Sequence, residues 1–223
     1  MQYYSNYIWE SAGTKDNPVS LILQHVCLKQ HNCMLACICE SDHSTGSSVV
    51  SGYFTERLVE WFHHGYLNIL QKKGGKEVVF HALKGELDRI EQELADYGKK
   101  KQENATVTVI GIFIFDSYFW LLGEGEWRGY LFNRRFNRIQ RRNLPGEKEA
   151  GIYIWEGILE RNIGILLCSS GFDSHLTSEE MTQVLFQEHL DDKDIGKRLR
   201  ELWKEEVKRG GTENVGAVYI RVE

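Results

Sequence analysis

Proline is almost missing from this 223-residue chain, with two residues in all, and no Pro/Gly/Ser-rich stretch interrupts it. Linkers between domains are built from such stretches, so a single domain over residues 1–223 is expected. Basic residues do not predominate either: 27 Lys and Arg stand against 32 Asp and Glu, a net charge of −5. Phosphate neutralisation needs clustered Lys and Arg, so nucleic acid is not the expected partner. Long hydrophobic runs are lacking. Even VIGIFIF (109–115) falls far short of the roughly 20 residues that a membrane helix needs. The opening MQYYSNYIWESAGTKDN has no basic start and no continuous apolar stretch, unlike a secretory signal. The expectation is a cytoplasmic protein without a membrane partner. Cysteine pairs of CxxC form are missing as well. Cys27, Cys33, Cys37, Cys39 and Cys168 are odd in number and sit mostly in apolar runs, which suits buried thiols in a reducing compartment. CMLACIC alternates like a strand, so Cys33, Cys37 and Cys39 share one face as packing residues rather than a metal site.

What the chain does have is apolar and aromatic content, 42% and 12%, enough to bury a sizeable core. VSLILQHVCL (19–28) and NCMLACICE (32–40), bracketed by a polar break, predict an opening hairpin. The period then becomes helical over Tyr53–Gln71 and again over Phe80–Tyr97, where Phe80, Leu83, Leu87, Ile90, Leu94 and Tyr97 recur at three and four. Six short β-rich runs follow, from TVTVIGIFIFD to NIGILLCSS, separated by turn residues. TSEE (177–180) has the form of a capping box, so a helix is expected to start there. A last helix over about 193–209 carries Ile195, Leu199, Leu202, Trp203 and Val207 on one face, and VGAVYIRVE closes the chain as a strand. Helices segregated from an antiparallel block predict an α+β fold, a four-layer α-β-β-α sandwich of two mostly antiparallel sheets flanked by helix pairs.

Several short segments, in this order, resemble the metal-dependent serine/threonine phosphatases of the protein phosphatase 2C (PPM) type. KDNPVSL (15–21) looks like that family's Asn-x-Asp-Ala/Ser motif, and LACICESDHSTG (35–46) is similar to its strand ending in Asp-Gly-x-Gly-Gly. GEGEWRGYLF (123–132) resembles Gly-Asp-Ser-Arg followed by Tyr, ILLCSSGFDSHLTSEEM (165–181) the Ser-Asp-Gly segment, and RGGTENVGAVYIRV (209–222) the closing Gly-x-x-Asp-Asn. The resemblance covers nearly the whole chain and implies the same α-β-β-α sandwich, with two manganese or magnesium ions activating a water at one edge.

Such hard ions need a cage of oxygen ligands, chiefly aspartates. Carried over position by position, the first aspartate falls at Val19, which has no oxygen. The next falls at Glu40, one methylene longer, followed by Ser41 in place of glycine. The Ser-Asp-Gly aspartate falls at Ser170, and Asp-Asn reads Glu213-Asn214. The segment between Glu126 and Ser170 holds no counterpart of the Asp-His-Ser/Thr motif, and the early phosphate-binding arginine has only Lys15 nearby. These departures point to a degenerate member of the family: a pseudophosphatase acting as a binding or regulatory module, with no catalytic residue and no cofactor expected. The alternative is an active phosphoserine/phosphothreonine phosphatase whose shifted acids, Glu40 and Glu213 above all with Asp16, Asp42 and Asp173 beside them, hold manganese or magnesium. His43, His63, His64 and His175 have no ligand spacing.

Two other features bear on partners. NRRFNRIQRRN (133–143) concentrates Arg134, Arg135, Arg138, Arg141 and Arg142. With Arg128, these arginines are candidate contacts for a phosphorylated or acidic ligand or protein; the competing reading is a solvated edge kept soluble by charge. Trp127 replaces a small serine beside the site and would fill substrate space or anchor a peptide. The sequence names no partner, and the compact form of the domain looks bacterial.

Overall fold

The computed structural model describes residues 1–11, 17–28, 31–41, 47–66, 69, 75–101, 105–125, 128–133, 138–141, 151–187 and 190–223. Ten strands form two sheets: β1 (Tyr3–Glu10), β2 (Val19–Leu28), β3 (His31–Ser41), β4 (Val107–Phe115), β5 (Tyr118–Glu124), β6 (Arg128–Asn133), β7 (Arg138–Arg141), β8 (Tyr153–Ile158), β9 (Ile163–Cys168) and β10 (Val215–Val222). The first sheet has the order β1-β10-β9-β6-β7 and the second β2-β3-β4-β5-β8, with every pairing antiparallel. Helices α1 (Ser47–Glu60) and α2 (Lys76–Lys101) follow β3, and the short α3 (Ser170–Asp173), α4 (Ser178–Leu185) and α5 (Asp192–Lys208) follow β9.

Period-2 alternation builds the layers. In β3, Met34, Ala36 and Ile38 point between the sheets, where they meet Ile110, Ile112, Ile165 and Val218. Cys33, Leu35, Cys37 and Cys39 point the other way, against Phe54, Leu58, Leu83, Leu87 and Ile90 of α1 and α2. The three thiols thus share one face, as their spacing predicts, and burial pushes Cys33 up to about 11 and raises Cys37 and Cys39 further. They remain protonated at neutral pH, the form in which a cysteine packs rather than ligates. On the first sheet's outer face, Leu166, Ala217 and Tyr219 carry Met181, Leu185, Ile195 and Leu199 of α4 and α5. The result is the expected α-β-β-α sandwich.

Four local expectations need correction. The N-terminal segment forms β1, an edge strand, because Tyr3 and Ile8 have neighbours to bury against while Tyr7 and Trp9 stay about half exposed; its uneven alternation hid it. The first helix begins at Ser47, ahead of the expected Tyr53, and from Trp61 to Tyr66 it widens into a π turn. That turn buries Trp61, Phe62 and Tyr66 together, with Phe62 stacked on Tyr66 at 5.5 Å and Tyr66 edge-on to Phe113 at 4.9 Å. In α5, Val207 is exposed and Glu206 is fully buried. The Glu206 carboxylate accepts the His175 backbone N–H at 2.9 Å and its ring Nδ1 at 2.6 Å, so a polar contact takes the position that the apolar pattern assigned to Val207. The short α3 had no sequence signal of its own. The capping box at Thr177 and Glu180 is formed, with the Glu180 backbone N–H donating to Thr177 Oγ1 and the Glu180 carboxylate accepting from the Thr177 backbone.

Candidate functional site

The positions singled out from the sequence come from four separate segments, and antiparallel pairing brings their ends to one edge of the sandwich. Val19, first in β2, lies opposite Glu40 near the end of β3. Ser41 is held there by its backbone N–H, which donates to the Pro18 carbonyl at 3.2 Å. From the other sheet, the Ser169 N–H donates to the Gly216 carbonyl at 2.8 Å, and the Gly216 N–H donates back to Ser169 Oγ at 3.0 Å. This reciprocal pair ties the start of α3 to the start of β10. It places Ser170 beside Glu213, whose Oε2 accepts from Ser170 Oγ at 3.3 Å. The approach is close enough that a Cβ on Gly171 would lie 2.5 Å from the Asn214 carbonyl oxygen. Val19, Glu40, Ser41, Ser170 and Glu213 therefore lie at one edge of the sandwich.

The centre of that edge is apolar. Val19 is 1% exposed, and its Cγ1 sits 2.8 Å from the point a Cβ of Gly216 would occupy, so the valine fills the space that this glycine leaves. Trp9, paired with Gly216 across β1 and β10, donates its indole N–H to the Val19 carbonyl at 2.8 Å. The Val19 backbone N–H donates to Asn17 Oδ1 at 2.9 Å. These contacts close the position around a hydrocarbon side chain, and sequence reasoning missed both Trp9 and Gly216. The register of β1 on β10 sets residue 9 opposite residue 216, and nothing in the sequence marks that pairing.

Three further acids lie in other layers of the sandwich. Asp173, 4% exposed, binds the Arg128 guanidinium and the Tyr130 hydroxyl through separate oxygens. Arg128, named from the sequence as a candidate anion contact, thus spends its charge on a buried carboxylate, and that carboxylate is engaged too. Glu124, at the end of β5, is half-buried; burial and then the charge of Glu91 push its carboxyl up to about 7. Glu91 on α2 is itself raised by burial, although its Oε1 accepts the Ile152 N–H at 2.5 Å. Gly125, at φ +76°, then turns the chain from the second sheet toward the first; a Cβ there would lie 2.7 Å from Thr108 Oγ1.

A paired divalent centre requires several carboxylate oxygens converging on two points about 4 Å apart. Among the described residues the set does not fit that demand: Val19 offers no oxygen, Asp173 is committed to Arg128 and Tyr130, and Ser170 donates to Glu213. Among the described residues, no three His, Cys, Asp or Glu side chains converge as a metal group. Lys15, Asp16, Asp42, His43, Glu126, Trp127, Arg134, Arg135 and Arg142 lie outside the described residues, and of Arg138 and Arg141 only the backbone in β7 is described. His175 makes a structural bridge to Glu206.

Comparison with known proteins bears on the fold. No protein-family model and no curated protein matches the sequence. Solved structures match over the full length. The serine/threonine phosphatase Stp1 from Staphylococcus aureus superposes with a TM-score of 0.77 at 16% identity, covering 100% of this chain and 96% of that one. The Mycobacterium tuberculosis serine/threonine phosphatase PstP/Ppp gives 0.74 at 15% identity, with 99% of both chains covered. A further structure is the catalytic domain of PstP in complex with two manganese ions, at TM-score 0.73 and 15% identity, again with 99% of both chains covered. The chain has the fold of these bacterial phosphatases, the one that the resemblance implies.

Proposed function

We propose that this chain is a protein phosphatase 2C-like domain, one unit over residues 1–223, that has lost the two-metal hydrolytic centre and acts as a binding or regulatory module in a bacterial cytoplasm. One observation carries the reading: Val19, where the family places a metal-binding aspartate, is buried against Gly216 and covered by Trp9. Hydrolysis by the family's route needs two fixed cations, and a hydrocarbon side chain at a ligand position removes one of the oxygens that would fix them. Free thiols at all five cysteines agree with a reducing compartment.

Isothermal titration of the chelator-treated protein with manganese and magnesium, with aryl phosphate hydrolysis followed in the same samples, tests it. Dissociation constants weaker than about 1 mM and no turnover are expected. Metal-dependent turnover would overturn the reading in favour of an active serine/threonine phosphatase, a second reading supported by Glu40 and Glu213 at one edge and by the manganese-bound PstP domain of like fold. The triple variant Val19→Asp, Glu40→Asp, Ser170→Asp is expected to regain metal binding.

A further inference from the structure

The two sheets do not end flush. β1 and β2 are the edge strands on one side, and β10, not β1, is the inner strand that packs closely over β2 and β3. β1 therefore overhangs β2. Its inward-facing Tyr7 and Trp9 reach past the core and remain 49% and 48% exposed. Beneath them runs a groove of about 470 Å3, floored by residues 19–24 of β2 and walled on the far side by Thr55 and Val59 of α1. Among the described residues, no charged side chain lines it and no strand pairs with β2 on that side.

The direction of the β2 backbone groups follows from three hydrogen bonds. The Pro18 carbonyl points to β3, where it accepts from Ser41, whereas the N–H and C=O of Val19 point the other way, to Asn17 and Trp9. In an antiparallel ladder this alternates, so the even residues of β2 bond to β3 and the odd ones face the groove. Val19 is already capped. Leu21 and Leu23 then present two N–H donors and two C=O acceptors in a row along the floor, at strand spacing. Only another extended backbone matches such a row, and apolar edges of this kind are normally blunted with lysine, proline or a bulge. Residues 19–24, Val-Ser-Leu-Ile-Leu-Gln, carry none of these.

We propose that the β2 edge receives an extended segment of a partner protein as an added strand. Leu21 and Leu23 bond its backbone, and its uncharged, mainly apolar side chains sit alternately against Tyr7 and Trp9 or against Thr55 and Val59. Main-chain pairing supplies the affinity in this mode and the flanking pockets supply selectivity. A second copy of this chain fits less well. Its own β2 is flanked by its own Tyr7, Trp9 and α1, so two sets of walls would have to share the one groove. The inference concerns the β2 edge and holds whether or not the neighbouring metal site is active.

The test selects ten-residue peptides from a random display library on the full-length protein. The best peptide is then measured by fluorescence anisotropy. Two changes are expected to weaken binding at least about tenfold: methylation of alternate peptide amides, which removes donors while keeping side chains, and Leu23→Pro, a residue edge strands accept where the N–H faces outward. Val78→Ala, on the exposed side of α2, is expected to leave binding unchanged. If Leu23→Pro does not fold, the methylated peptides decide alone. Failure to enrich any binder, or binders indifferent to methylation, would overturn the proposal. So would a dimer in sedimentation velocity that Leu23→Pro dissolves, which would assign the edge to a second copy.

Discussion

Where β4 turns into β5, the carboxylate of Asp116 accepts the Asn32 backbone N–H at 2.9 Å and pairs with His31 at 2.8 Å, while its carbonyl takes the Tyr3 hydroxyl. The Asp116 N–H closes the loop by donating to the Asn32 carbonyl at 2.8 Å. At the opposite end, where Val19, Glu40, Ser170 and Glu213 meet, the middle is a valine packed on a glycine. On the helix side of the second sheet, Glu91 and Glu124 are held above their ordinary carboxylate range by burial. Both ends consist of strand termini that need their polar groups satisfied. One satisfies them with local hydrogen bonds and so acts as scaffold. The other accepts half-buried acids at a cost in stability, which is characteristic of an edge shaped by something other than stability.

The contrast breaks hardest at the closest backbone approach. Gly171→Ala puts a methyl group 2.5 Å from the Asn214 carbonyl oxygen and 2.8 Å from Glu213 Cβ, neither of which can move aside without the backbone. A loss of about 3 kcal/mol in urea unfolding is expected, since overpacking of a tight site cannot relax there. A loss below about 1 kcal/mol would mean that the α3–β10 junction is looser than its hydrogen bonds imply. At the scaffold end, Asp116→Ala strips the acceptor from Asn32 and His31 and leaves alanine at φ 54°. About 2 kcal/mol is expected, combining unsatisfied donors with a strained backbone. Metal titrations of that variant should match those of the parent protein.

The sequence revealed the layers because alternation in β3, β4 and β10 and the three-four spacing in α2 each serve one packing face. It failed where tertiary contact decides. β1 owes its existence to pairing with β10, and its half-exposed Tyr7 and Trp9 blur its period. Glu206 is buried because His175, far off in the chain, requires an acceptor, and no local pattern announces that. At the candidate site, the resemblance names five positions from four segments, and strand pairing brings those segments to one edge. What stayed illegible was the packing at those positions: that Val19 plugs a gap left by Gly216, and that Asp173 and Arg128 neutralise each other, are facts of tertiary contact.

The smallest effect sharpens the comparison most, because it reads the cost of a half-buried acid directly. Glu124 has an ordinary value of 4.5 and a folded value of about 7. Between those limits the folded protein keeps a proton that the unfolded chain has released. Stability therefore falls as pH rises through that window, and the full penalty is present above about pH 7. The group is only half-buried, so the penalty is discounted for solvent screening to about 1 kcal/mol. Glutamine cannot ionise, so Glu124→Gln is expected to equal the parent protein at pH 4 and exceed it by about 1 kcal/mol at pH 8. Urea unfolding at both pH values measures this. A difference that stays the same at both would place the origin in packing, and the two ends of the sandwich would then differ in shape alone.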